Sequence, residues 1–292
     1  MLIKQKDELI RPFFIGMLWL IVKRENIMRI SFIGAGRVAH HLVYALSQHH
    51  QIIQVYSRTL VHAQTLAAQV GATATVNISE INPEIDLVVI AVSDQAIASV
   101  IAEVHQHLAD VLIVHTSGST DIEVLAKVHA RAGVFYPLQT FSLDREITWS
   151  DTPLFVEAKS EDDLVLLTEL ANQLSKCVYQ YTSAQRLSLH LAAVFACNFS
   201  NYCYDMAKQI VDAQQVDFSL LYPLILETAR KAVQHDPEQM QTGPAMRGDQ
   251  NILNMHQQML QDAQREDLKK VYNLMSQQIL QSHHPKESLK LK

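Results

Sequence analysis

Apolar and polar positions divide the chain into two rhythms. From residue 29, short apolar runs alternate with amphipathic stretches. Ile30-Ser31-Phe32-Ile33 predicts a buried strand, and residues 38–48, with Val38, Leu42, Ala45 and Leu46 at helical spacing, predict a helix. Residues 52–56 predict a second strand, and residues 62–70 a helix closed by Gly71. Residues 86–92 are apolar after the first position, the pattern of a strand covered on both faces in a parallel sheet. A helix over 96–108, a strand over 111–114, a helix over 121–130 that starts near Asp121, and strands over 133–136 and 153–157 continue the alternation. Strand-helix alternation implies right-handed crossovers and an α/β fold with a doubly wound parallel sheet.

The rhythm changes near Ser183. Residues 183–211 predict one long helix, followed by helices over 218–235, with Pro223 in the first turns or at a kink, 249–263 and 266–281. No strand run interrupts them, so the C-terminal domain is expected to be all-helical. The expected organisation is an extension over 1–27 outside the fold, a nucleotide-binding domain over 28–180, a helical domain over 181–282 and a fraying tail over 283–292.

The extension carries one apolar run, residues 12–22, between Lys4, Lys6 and Arg11 on one side and Lys23 and Arg24 on the other. A bilayer-spanning helix needs about 20 residues, so the run is too short to cross. No small-x-small cleavage site follows it. Met28 then reads as the start of the folded protein, with a membrane tether as the rival reading of the extension.

Composition narrows the class. The chain has 292 residues, 48% apolar and 18% charged, with a net charge of −6. That is a globular mix without the basic balance that nucleic acid demands. Cys177, Cys197 and Cys203 are odd in number and lack C-x-x-C spacing. A disulfide framework or a metal site is therefore not expected, and a reducing cytoplasm fits.

The first candidate chemistry is Gly34-Ala35-Gly36-Arg37-Val38-Ala39, a G-x-G-x-x-A sequence placed after a predicted strand and at the start of a predicted helix. Gly34 permits the tight turn, Gly36 lets the backbone approach a pyrophosphate, and Ala39 allows close helix–strand packing. Free N–H groups at the helix start then meet the phosphates. The second strand ends in Val55-Tyr56-Ser57-Arg58-Thr59, where an NAD enzyme usually has an acid. Arg58 suits a 2′-phosphate, with Ser57 and Thr59 as donors and Arg37 as a second cation, so NADP(H) is favoured over NAD(H). Val92, Ser93 and Asp94 follow the next strand and either line the cofactor cleft or simply cap the following helix.

His115-Thr116-Ser117-Gly118-Ser119 ends a further strand at the same edge, with His115 and Thr116 toward the cofactor and Ser117 and Gly118 toward the reacting atoms. Tyr136-Pro137-Leu138-Gln139-Thr140-Phe141 leaves the next strand, and Gln139 is a substrate candidate. In the helical half, His190, Asn198 and Asn201 interrupt an apolar helix. Bonding to neighbouring helices explains them; so does a helix that covers the nicotinamide, with His190 as general acid or base and Asn198 beside it. A histidine's ordinary pKa of about 6.5 suits that task. Thr242-Gly243-Pro244-Ala245-Met246-Arg247-Gly248-Asp249 is a Gly/Pro loop entering a helix capped by Asp249, where Thr242 and Arg247 could hold a substrate carboxylate; Arg247 could equally be a surface ion-pair partner.

Together GAGRVA, HTSGS, YPLQTF and TGPAMRGD resemble the bacterial family that joins a Rossmann-like domain to a DUF2520 domain, over residues 28 to about 272. That family is similar to pyrroline-5-carboxylate reductase, to F420-dependent NADP reductase and to the 6-phosphogluconate dehydrogenase-like group. The resemblance implies an NADP-binding oxidoreductase whose helical domain builds a homodimer and closes the cleft. It implies no particular substrate. Family members often have His where this chain has Tyr136, and the lysine-plus-asparagine helix of β-hydroxyacid dehydrogenases is absent, since no lysine precedes Lys208 in that helix. Two functions follow as expectations. One is hydride transfer between NADP(H) and a small, carboxylate-bearing carbonyl, imine or alcohol, with F420 as a rarer hydride partner. The other is a non-catalytic NADP-sensing dimer. Neither involves nucleic acid or a membrane.

Overall fold

The computed structural model describes residues 27–284. The expectations for residues 1–26 and for most of the tail lie outside them. The chain forms two compact units that divide between Val194 and Phe195, later than the change of rhythm near Ser183.

The first unit is built on β1 (Arg29–Ile33), α1 (Arg37–Ser47), β2 (Gln51–Tyr56), α2 (Leu60–Ala68), β3 (Thr73–Thr75), β4 (Leu87–Ile90), α3 (Asp94–Val104), β5 (Leu112–His115), α4 (Glu123–Ala126), β6 (Ala132–Pro137), β7 (Leu154–Ala158), α5 (Glu161–Leu174), β8 (Val178–Gln180) and α6 (Ser183–Ala193). The strands make one eight-stranded sheet in the order β3-β2-β1-β4-β5-β6-β7-β8. β1 to β6 are parallel, as expected for a Rossmann sheet. The departure is at the far edge: β7 pairs antiparallel to β6, and β8 runs parallel to β7. The N-terminal ends of β7 and β8 therefore lie at the same sheet edge as the C-terminal ends of the other six.

Period-two geometry explains why the central strands read as unbroken apolar runs. Ile30, Phe32, Leu87, Val89, Leu112 and Val114 face α1 and α5, packing on Leu42, Leu46, Leu167 and Leu170. Ile33, Val88, Ile90 and Ile113 face the other way, onto Ile97, Ile101 and Val104 of α3 and Leu125 of α4. Each such side chain contributes about 1.5–3 kcal/mol through burial.

Sequence reading assigns nothing to β3, α5 or β8. The two strands are three residues each, too short for a period to register. α5 does carry a start signal, Ser160 accepting from Asp163 N–H ahead of three acids in the first turn. The helix expected over 121–130 shrinks to Glu123–Ala126. Beyond it the buried His129 ring bonds the Val111 carbonyl at 2.7 Å.

The long helix expected over 183–211 is also corrected. A π-helical turn occupies Val194–Phe199. Ser200 Oγ donates back to the Phe195 carbonyl at 3.3 Å, a five-residue reach that matches a π spacing.

In the second unit α7 (Ser200–Asp212), α8 (Tyr222–Gln234), α9 (Pro244–Arg247), α10 (Gln250–Asp262) and α11 (Glu266–His283) are all helical, and Pro223 sits in the first turn of α8. Met206, Ala245, Leu253 and Leu268 are buried, while Leu220, Leu224, Val233 and Leu274 are exposed. His284 Nε2 bonds the Met246 carbonyl at 2.7 Å and ties the end of α11 to α9. Among the described residues no helix is long and apolar enough to cross a membrane, and no cluster of ligating side chains could hold a metal ion.

Candidate functional site

Because β1, β2, β4 and β5 are parallel neighbours, the loops after them share one edge. Strand-end hydrogen bonds tie those loops together: Gly34 N–H to the Tyr56 carbonyl at 2.9 Å, Ala91 N–H to Ile33 at 2.8 Å, and Thr116 N–H to Ile90 at 3.1 Å. Gly34 adopts φ +117°, and a Cβ there would sit 2.2 Å from the Ala91 carbonyl oxygen. Gly36 is the N-cap of α1, where a Cβ would meet open space. No side chain caps α1, and no acid lies in its first turn. The first N–H groups of α1 are thus directed at the opening without an internal acceptor, the arrangement a pyrophosphate needs.

Ala35 and Val38 pack partly against the core beneath this loop, and Arg37 is exposed. Ser57, Arg58 and Thr59 occupy the turn between β2 and α2. Ser57 Oγ accepts from Thr59 N–H at 3.3 Å, and the Arg58 side chain is exposed. No carboxylate stands in this turn, which leaves it free for a 2′-phosphate. Val92 lies 3.3 Å from the position of a Gly34 Cβ. Ser93 is the N-cap of α3 but makes no side-chain cap bond, so capping does not account for it. These residues fit a bound NADP(H).

The loop after β5 is built differently. His115 is fully buried, and its Nδ1 accepts the Ser117 N–H at 3.1 Å. Its Nε2 is buried without a partner. Burial first, then the nearby Arg186 charge, pushes its pKa down to about 3, so the ring is neutral. Ser117 Oγ accepts Ser119 N–H at 3.2 Å and Thr120 N–H at 2.9 Å. Ser119 Oγ donates to Asp94 at the start of α3. His115 and Ser117 thus shape the turn from inside, and Thr116 is also buried.

Gly118 is where the loop meets other elements. A Cβ on it would lie 2.7 Å from His190 Nδ1, 2.7 Å from Tyr136 Cζ and 2.8 Å from the Tyr136 hydroxyl. The Tyr136 hydroxyl and His190 Nδ1 are 3.4 Å apart. Burial raises the Tyr136 pKa, so the phenol is protonated at neutral pH.

Three residues that sequence reading missed hold this meeting in place. Arg186, 1% exposed, donates through Nε to the Ser117 carbonyl at 3.2 Å and through Nη2 to the Thr120 carbonyl and to Ser183 Oγ; its Nη1 pairs with Glu157. Ser183 donates to Glu157 from both N–H, at 3.0 Å, and Oγ, at 2.8 Å. The available signal was helical spacing: Arg186 stands one turn before His190.

Gln139 lies in the exposed loop after β6, where its Oε1 accepts Thr140 N–H at 2.8 Å. Asn198, in the π turn, and Thr242 and Arg247, around α9, belong to the second unit, and all three are exposed. Arg247 has no ion pair among the described residues, and Asp249 instead caps α10 by accepting Ile252 N–H at 3.3 Å.

A glycine turn opening onto an uncapped helix, beside an acid-free strand end, is the architecture of a dinucleotide-binding domain. Comparison with known proteins specifies the family. Residues 29–118 match the family described as NADP oxidoreductase, coenzyme F420-dependent, and residues 152–279 match the domain of unknown function DUF2520. A putative NADP oxidoreductase from Bacteroides fragilis is 39% identical, with 88% of this chain and 99% of that one covered and a TM-score of 0.83. The chain belongs to the same family as this protein, a family of NADP-dependent oxidoreductases. Two further structures share the fold at low identity. An imine reductase from Myxococcus stipitatus in complex with NADP+ is 15% identical, covering 88% of this chain and 95% of that one, with a TM-score of 0.65. A pyrroline-5-carboxylate reductase from Coxiella burnetii is 16% identical, covering 87% and 99%, with a TM-score of 0.53. No protein among the curated relatives matches the chain.

Proposed function

We propose that the protein moves a hydride between NADP(H) and a small carbonyl, imine or alcohol substrate that bears a carboxylate, with His190 as the proton-transfer group. The observation that carries this reading is the meeting of Gly118, Tyr136 and His190 at the edge where Gly34, Gly36 and Arg58 stand. Bound NADP(H) would supply the hydride chemistry. The turn from Gly34 to Val38 holds the pyrophosphate, Ser57, Arg58 and Thr59 hold the 2′-phosphate, and Val92 and Ser93 border the rest of the cofactor, with the buried His115 and Thr116 supporting that edge from behind. The backbone at Ser117 and Gly118 passes beside the reacting atoms. His190 holds a proton next to the Tyr136 phenol and exchanges it with the substrate heteroatom. Gln139, Thr242 and Arg247 are assigned to the substrate, Arg247 to its carboxylate, and Asn198 to the catalytic set with His190. The same reading takes the protein as a cytoplasmic homodimer joined through the second unit. Its three free thiols and the exposed Leu220, Leu224 and Val233 favour this.

The test is calorimetric titration of the protein with NADPH and NADH, followed by turnover on small keto and imino acids. NADPH binding at least tenfold tighter than NADH, with NADPH oxidation by one of these acids and a raised KM in Arg247→Ala, is the expected result. Equal binding of both nucleotides removes the Arg58 assignment. NADPH binding with no turnover on any such substrate, but with reduction of NADP+ by reduced deazaflavin, moves the reaction to F420.

A further inference from the structure

We propose that Arg186 is a positioning residue whose buried guanidinium clamps the two carbonyls flanking Gly118 and so sets where that backbone meets Tyr136 and His190. The functional weight of the clamp rests on the reading of His190 above, but its geometry stands apart from it.

The guanidinium has five N–H donors in a rigid plane. Nε takes the Ser117 carbonyl and Nη2 the Thr120 carbonyl, so the loop is held on both sides of Gly118. Nη1 pairs with Glu157 on β7. Ser183 completes the ring: it donates to Glu157 and accepts Ile122 N–H at 3.0 Å. The β5–α4 loop, β7 and the first turn of α6 are thereby joined through one side chain. Residues four apart lie on one helix face, so the turn that anchors the loop through Arg186 places the His190 ring on Gly118.

A buried ion pair is a poor source of stability, because desolvation offsets most of the attraction. What this pair contributes is geometry. A lysine has one ammonium in place of the planar fork and does not span two carbonyls three residues apart. The charged and titratable groups that face the guanidinium are Glu157 from β7, Tyr136 from β6 and His115 from β5, with Asp94 and Asp121 acting in turn on His115. Among them Glu157 alone pairs with it directly.

The test reads the contact itself and needs no substrate. Tyrosine labelled with ¹³C at Cζ is incorporated into the full chain, and the Tyr136 resonance is assigned by its loss in Tyr136→Phe. The displacement of that resonance caused by His190→Ala at pH 7 is measured in the parent and in Arg186→Lys. We expect a clear displacement in the parent that falls to about a third or less in the lysine background, as coupling is lost between groups no longer held together. Equal displacement in both backgrounds overturns the proposal, as does no response in the parent. If Arg186→Lys does not fold, Ser183→Ala decides, since it leaves the ion pair and removes one strut. A reduced displacement is expected there, and an unchanged one overturns the clamp. NADPH titration of the same samples separates the two ideas: a parent that fails to bind NADPH defeats the proposed reaction while leaving the clamp result standing.

Discussion

Two glycine turns at one sheet edge differ in what requires the glycine. At Gly34 the cause is backbone: φ is +117°, and the Ala91 carbonyl oxygen lies where a Cβ would go. At Gly118 no left-handed φ is involved. The space is taken by side chains, Tyr136 from β6 and His190 from α6. A backbone clash is set by the strand pairing of β1 with β4 and cannot relax without moving the sheet. A side-chain clash relaxes by displacing Tyr136 and His190. The first turn is held by backbone against backbone, and the second lets two side chains from distant elements approach the loop.

Substitution of both glycines should separate these causes. Gly34→Ala is expected to have the largest effect, about 3 kcal/mol or more of lost stability from strain and overlap, together with loss of NADPH binding. Denaturant unfolding and nucleotide titration check it, and a stable, NADPH-binding variant would sink the distinction.

Acid should attack the second turn first. His115 is held neutral with a pKa of about 3 against an ordinary 6.5. A lowered histidine pKa means its contribution is complete above pH 6.5 and is lost progressively as pH falls from there toward 3. At about 1.4 kcal/mol per pH unit, this group removes about 2 kcal/mol between pH 7 and pH 5. Unfolding of the parent and of His115→Gln at both pH values checks the sign: the variant should lose markedly less stability on acidification.

Gly118→Ala should cost about 1–2 kcal/mol through overpacking and should move the Tyr136 resonance, with NADPH affinity nearly unchanged. A loss of NADPH affinity as large as that of Gly34→Ala would collapse the two turns into one role. Arg58→Ala is expected to weaken NADPH about tenfold while leaving NADH binding unaltered, as loss of one exposed charge-assisted contact predicts. Ser93→Ala should be the mildest, within about 0.5 kcal/mol, because that side chain makes no cap bond. A larger loss of stability would reveal a structural role for it.

The same contrast runs through what the sequence disclosed. The Gly34 turn was legible because every part of it is contiguous: an apolar strand, G-x-G-x-x-A and a helix. The acid-free end of β2 was legible for the same reason. The reversed β7 and β8 were not, since an apolar run has no direction. Nor was the π turn at Val194–Phe199, because the 3.6-residue pattern survives one wide turn. The polar loop after β5 stood out as unusual, yet the inward duties of His115 and Ser117 depend on contacts that no local pattern records.

Local order therefore determined the central strands and the helices between them, the glycine turn and the absence of an acid at the end of β2, because each rests on neighbours in the chain. Tertiary structure alone decided that Arg186, Glu157 and Ser183 would close on one loop and that Tyr136 and His190, 54 positions apart, would meet over Gly118. Those contacts come from the crossing of α6 over strands far away in sequence. Their energies are those of burial and paired charge, which depend on distance in space.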